Sequence, residues 1–98
     1  DYKKARIKFI EERKRFFQCL QHINYLRVIP SAANYFLCEV VGKYTTEDIC
    51  SILLANHNIL LKNCSTKAGF NQAQYIRMAI RNQKENDKLI AALASLND

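Results

Sequence analysis

The chain has 98 residues, 49% of them hydrophobic, and a formal charge of +6. That suits one small globular domain able to bury roughly two-thirds of its unfolded surface. Two glycines, one proline and no apolar run near the roughly twenty residues a bilayer needs exclude the low-complexity, disordered and membrane-spanning classes, and no signal segment opens the chain, so a soluble, cytoplasmic protein is expected.

From Asp1 to about His22, within a first segment 1–24, the pattern is helical: Ile10, Phe17 and Leu20, and also Phe9, Phe16, Leu20 and Ile23, recur at three- and four-residue steps. Lys3, Lys4, Arg6, Lys8, Arg13, Lys14 and Arg15 concentrate the positive charge there. Such a face suits an acidic partner or plain solvation better than nucleic acid. The front half, with Tyr2 and Ile7 among many charges, is expected to extend beyond the local core. Tyr25 to Ile29 is a short strand. Pro30 to Ala33 makes a turn, because proline cannot continue a ladder, and Asn34 to Val41 returns as an antiparallel partner. Ser31 and Asn34 read as turn-stabilising residues.

Thr45, followed by Thr46, Glu47 and Asp48, opens a second helix with a hydroxyl cap and acidic residues in its first turn. Ile49, Ile52 and Leu53 form its inner side, widened by Cys50 and Leu54, and His57-Asn58 closes it with asparagine in the left-handed cap. Ile59 to Lys62 is a third strand, apolar enough for the middle of the sheet. Thr66 to Asn71 is a loop, and Tyr75 to Arg81 is the fourth strand. On that strand Ile76, Met78 and Ile80 face the core, while Tyr75, Arg77, Ala79 and Arg81 share the other face. A guanidinium held on a rigid strand suits a carboxylate or phosphate, although spacing alone favours two ordinary solvated arginines. Asn82 or its neighbours start a last helix packing through Leu89, Ile90, Ala92, Leu93 and Leu96, and the ending at Asp98 looks like a natural terminus. The fold class is α+β in the order α-β-β-α-β-β-α, with a small, mainly antiparallel sheet covered by helices on one face. Cys19, Cys38, Cys50 and Cys64 lack zinc or disulfide spacing, and His22 and His57 add none, so no metal site is expected.

The run Arg77 to Arg81, followed by Glu85-Asn86 and Leu89 to Leu93, resembles the C-terminal end of class I/II (fold-type I) pyridoxal-phosphate-dependent aminotransferases, in the group holding histidinol-phosphate aminotransferase and threonine-phosphate decarboxylase. Pro30 to Leu37 looks like that family's Pro-Ser-x-Ala-Asn-Phe signature. Lys62-Asn63-Cys64-Ser65 is similar to its Arg-Asp-Cys-Ser string, with lysine where an arginine helps hold the substrate's anionic group and asparagine where an acid stands. The positive charge is kept and the bidentate fork is lost. Arg81 stands where histidinol-phosphate aminotransferases usually have glycine and the decarboxylases often have arginine.

The resemblance implies that 1–98 is the C-terminal small domain of a longer enzyme and that 1–24 continues from an absent large domain. Arg77 would contact the acidic end of an amino-acid or amino-phosphate substrate, with Lys62 beside it. The cofactor would be pyridoxal phosphate, held by the large domain. Lys62, Lys67, Lys84 and Lys88 do not match the lysine that holds it, so the chain is expected to contain no catalytic residue and to be inactive alone. A homodimer of the full enzyme is implied as well. Two other classes stay open: a stand-alone basic α+β module binding nucleic acid or a protein, and a regulatory interaction domain. Against nucleic acid, Tyr35 and Phe36 point to opposite faces, leaving no aromatic pair beside clustered cations.

Overall fold

The first helix forms because one side of an otherwise polar sequence is apolar at helical spacing. In the computed structural model, which describes residues 2–30, 34–65 and 74–97, α1 spans Tyr2–Leu20. Phe16, Leu20 and, just beyond the helix, Ile23 are buried, and Phe9 and Phe17 pack against the same cluster. Tyr2 and Ile7 are 82% and 55% exposed, so the front of α1 does extend past the core. The helix stops earlier than its pattern suggests. The N–H groups of His22 and Ile23 turn to the carbonyls three residues back, Cys19 and Leu20, which tightens the last turn and ends the α-helical ladder.

Strands β1 (Leu26–Ile29) and β2 (Tyr35–Val40) pair antiparallel, with Val28 opposite Cys38. Helix α2 (Thr46–His57) has the expected start: the Thr45 hydroxyl accepts the Asp48 N–H at 3.1 Å, and the Asp48 carboxylate accepts the Thr45 N–H at 3.1 Å. It ends at Asn58, whose φ of 55° is the left-handed conformation that asparagine tolerates better than most residues. Leu54, expected to widen the apolar side, is instead 49% exposed on the outer face.

The third strand departs from expectation in place and extent. β3 is Lys62–Asn63 alone and lies at an edge, because the sheet order is β1-β2-β4-β3, with β4 (Tyr75–Ala79) inside. The Ile59 N–H is spent on the Leu53 carbonyl, closing the end of α2, so it is not available to a ladder. Ile59 and Leu61 then pack against the core from a loop, and Leu60 points to solvent. β4 also ends at Ala79, which leaves Arg81 in the turn before α3 (Gln83–Ala94). Asn82 caps that helix, accepting the Glu85 N–H at 2.8 Å.

The result is an α+β fold with a four-stranded antiparallel sheet. Val28, Phe36, Cys38, Ile76 and Met78 face the helices, which contribute Ile49, Leu53, Leu89 and Leu93 to the same cluster. Burial in this cluster holds the Cys38 thiol far above its usual range, at about 12. The Tyr25 hydroxyl donates to the Leu93 carbonyl at 2.6 Å, tying α3 to the start of β1. The turn residues 31–33, Ser31 among them, and the loop 66–71 with Lys67 lie outside the described residues. Among the described residues no helix is long and apolar enough to cross a membrane, and no three His, Cys, Asp or Glu side chains gather as metal ligands.

Candidate functional site

Alternation along β4 puts Ile76 and Met78 in the core and turns Arg77 and Ala79 to the opposite, exposed face. Arg77 lies opposite Leu37 on β2 and opposite Lys62 on β3. The two residues singled out from the sequence are therefore direct cross-strand neighbours. Side chains so placed leave the same face with Cβ atoms about 5 Å apart, and like charges in that relation repel. Other arginines have carboxylate partners: Arg27 with Glu39 at 2.9 Å, Arg15 with Glu12 at 2.7 Å and Asp87 at 2.8 Å, Arg81 with Glu85 at 3.6 Å. Among the described residues neither Lys62 nor Arg77 forms an ion pair.

Both cations line a cleft of about 550 Å³ between residues 58–62, β4 and the start of α3. Arg81 and Lys88 also line it, against one carboxylate, Glu85. The cleft can accept an anion and has little to offer a cation. The Arg77 guanidinium also lies over the Tyr35 ring, 4.6 Å from its centroid, in the range of a cation–π contact. Tyr35 thus forms a floor that holds the guanidinium fork over the sheet. The signal for Tyr35 lay in its parity on β2, but only the β2–β4 register, Tyr35 opposite Ala79, puts it diagonally beside Arg77. The open face carries a second aromatic residue, Tyr75. It pairs with Glu39 at the far end of the β2–β4 ladder, and a carboxylate there does not suit a phosphate backbone.

The edge strand that carries Lys62 is pinned locally. The Asn63 side-chain oxygen accepts the Ser65 N–H at 2.9 Å, the Ser65 hydroxyl accepts the Tyr75 N–H at 3.2 Å, and the Cys64 N–H donates to the Tyr75 carbonyl at 2.9 Å. Asparagine at 63 therefore has a turn to make, of the kind its side chain favours.

Asn86, at the α3 wall of the same cleft, is only 2% exposed. Its amide donates to Glu12 Oε2 at 2.7 Å and to the Arg81 carbonyl at 2.9 Å, and its oxygen accepts the Arg81 N–H at 3.0 Å. Hydrogen bonding from Arg15 holds the Glu12 carboxyl below its ordinary range; burial opposes this, and Asn86 adds to it. Residues Glu12 and Asn86 are 74 positions apart, so no local pattern could pair them.

The fold and these motifs have clear counterparts. Over 89 residues the chain is 37% identical to the threonine-phosphate decarboxylase of Salmonella typhimurium, covering 88% of this chain and 22% of that protein. A decarboxylase from Sulfurospirillum multivorans superposes with a TM-score of 0.87 at 30% identity, covering 99% of this chain and 27% of that one. The histidinol-phosphate aminotransferase from Clostridium acetobutylicum superposes with a TM-score of 0.84 at 28% identity, covering 96% and 28%. The chain thus spans about a quarter of the length of the relatives it matches. Residues 1–93 match the model of the family described as aminotransferase class I and II, and the chain belongs to that family.

Proposed function

We propose that this chain is the substrate-orienting part of a pyridoxal-phosphate-dependent aminotransferase or related amino-acid decarboxylase, in which Arg77 and Lys62 bind the acidic group of the substrate. One observation carries the reading: Lys62 and Arg77 are direct cross-strand partners, unpaired among the described residues, at the wall of one cleft. Two like charges in that arrangement repel, and an anion between them relieves the repulsion. The fork of Arg77 grips a carboxylate or phosphate at two oxygens, and Lys62 adds a point charge. Two similar proteins, a threonine-phosphate decarboxylase and a histidinol-phosphate aminotransferase, are both named for phosphate-bearing compounds. A small amino compound bearing a phosphate or carboxylate is the substrate class that follows.

The exposure of the described lysines supports placing pyridoxal phosphate outside this chain. Lys62, Lys84 and Lys88 are exposed, whereas a lysine that holds the cofactor covalently needs an enclosed site to lower its pKa. Glu85, the carboxylate of the cleft, lies beside Arg81. We assign the cofactor to a large domain of the same enzyme, continuous with α1, and assign this chain no catalytic residue. The full enzyme would be a cytoplasmic homodimer. What these residues contribute is orientation: one end of the substrate fixed so that its amino group meets the cofactor in a reactive geometry.

The test is Arg77→Ala in the complete enzyme. Removing the partner of a bound charge should cost about 2 to 5 kcal/mol in kcat/KM. Unchanged kcat/KM would end the assignment.

A further inference from the structure

We infer that Asn86, anchored by Glu12, is a positioning residue for the cationic cleft and acts through Arg81. The inference rests on the reading of that cleft as an anion site. β4 ends at Ala79, and among the described residues the last backbone bond toward β2 is from the Ile80 N–H to the Asn34 carbonyl at 3.0 Å. At Arg81 the chain has left β4, and among the described residues it has no strand neighbour. The Asn86 side chain takes that place, accepting the Arg81 N–H and donating to the Arg81 carbonyl, as a facing peptide would. Both backbone groups of Arg81 are thereby fixed, and with them the direction in which its side chain starts toward the cleft it shares with Arg77 and Lys62.

The amide is itself held. Its second donor hydrogen goes to Glu12 Oε2, and that carboxylate is gripped at both oxygens by Arg15, Nε to Oε1 and Nη2 to Oε2, each at 2.7 Å. The two acceptors facing the amide nitrogen are a carbonyl and a carboxylate, which fixes the orientation of the side chain. For packing alone, an apolar residue would serve at a position 2% exposed. The buried amide adds direction: α1 sets Asn86, Asn86 sets the Arg81 backbone, and Arg81 adds its cation to those of Lys62, Arg77 and Lys88.

The experiment uses the full-length enzyme with inorganic phosphate as a competitive probe. Asn86→Ala should raise the inhibition constant of phosphate about fivefold, the effect of losing a coupling of ordinary size, and should change it more than it changes kcat. In an Arg81→Ala background the same substitution should have no further effect. Glu12→Ala, on the partly exposed side of α1, is the milder variant and should move the constant in the same direction, so a misfolded Asn86 variant does not end the test. Arg77→Ala separates the two readings. If it leaves the constant unchanged, the anion-site reading falls and this inference with it. If it raises the constant while Asn86→Ala and Glu12→Ala do not, or if the Asn86 and Arg81 effects simply add, this inference alone is overturned.

Discussion

Replacing Tyr35 by leucine removes the floor beneath Arg77 while keeping a half-buried apolar side chain at that position. The guanidinium carbon lies 4.6 Å from the ring centroid, close enough for the ring face to attract it and to exclude some of its alternative rotamers. Such contacts contribute about 0.5–1 kcal/mol at exposed sites and up to about 2 where water is excluded. Arg77 is exposed, and Tyr35 is half-buried. A loss near 1 kcal/mol, or about fivefold, is therefore expected. It should appear mainly in KM, because the contact orders the arginine before the substrate arrives and leaves the reacting centre untouched. The assay is steady-state kinetics of the full-length enzyme with an amino substrate bearing a phosphate, alongside Tyr35→Phe, which keeps the ring. The phenylalanine variant should stay close to the parent. If leucine and phenylalanine give the same KM as tyrosine, the ring does not orient Arg77.

Three further outcomes concern the fold that holds the site. Phe36, 2% exposed, lies with its ring centroid 5.8 Å from Phe16 and 5.6 Å from Phe17, so Phe36→Ala should destabilise the chain by about 3–5 kcal/mol in urea unfolding. A loss under about 1 kcal/mol would contradict the packing, since so large a side chain cannot leave the core that cheaply. Glu12 has its carboxyl pKa depressed below the ordinary 4.5 by Arg15, against burial and with Asn86 assisting. The stability it contributes is fully present above 4.5 and is lost as pH falls through the lower folded-state value. The groups facing it are Arg15, Asp87 and Asn86, with Lys8 and Glu11 nearby. Urea midpoints measured down the acid range should fall less steeply for Glu12→Gln, and parallel slopes would refute the linkage. Cys38, with its thiol pushed up to about 12 by burial, should be the last of the four cysteines alkylated at neutral pH and should react only as the chain unfolds.

Legibility in the sequence followed the range of the interaction. The caps at Thr45 and Asn58 and the start of α3 near Asn82 were readable because each depends on residues within a few positions, and alternation along Tyr75 to Ala79 put Arg77 on the correct face for the same reason. The place of β3 was not readable. Ile59, Leu60 and Leu61 have the composition of a buried strand, yet the closing turn of α2 uses the Ile59 N–H, and the loop then packs Ile59 and Leu61, each partly buried, against the core without a ladder. Apolar content reports burial, and burial here does not mean pairing. The same limit hid Tyr35 and Glu12, whose partners lie 42 and 74 positions away and meet them only once register and helix docking are set.

What joins these cases is the position of β4. Because it is inside the sheet, its backbone is held on both sides, by β2 and by β3. An edge strand frays more readily than an interior one, since one row of its N–H and C=O groups has no ladder partner. Arg77 therefore stands on the firmer strand and Lys62 on the looser one. The difference matches their chemistry: a planar fork requires a fixed orientation to engage two oxygens, whereas an ammonium on a flexible stem is a point charge that tolerates a less rigid base. Exchanging the two residues would preserve the charge of the cleft but put the fork on the edge strand, and the double variant Lys62→Arg with Arg77→Lys should bind phosphate more weakly than the parent. Equal affinity would mean that charge alone, and not the placement of the fork, decides how this face would hold an anion.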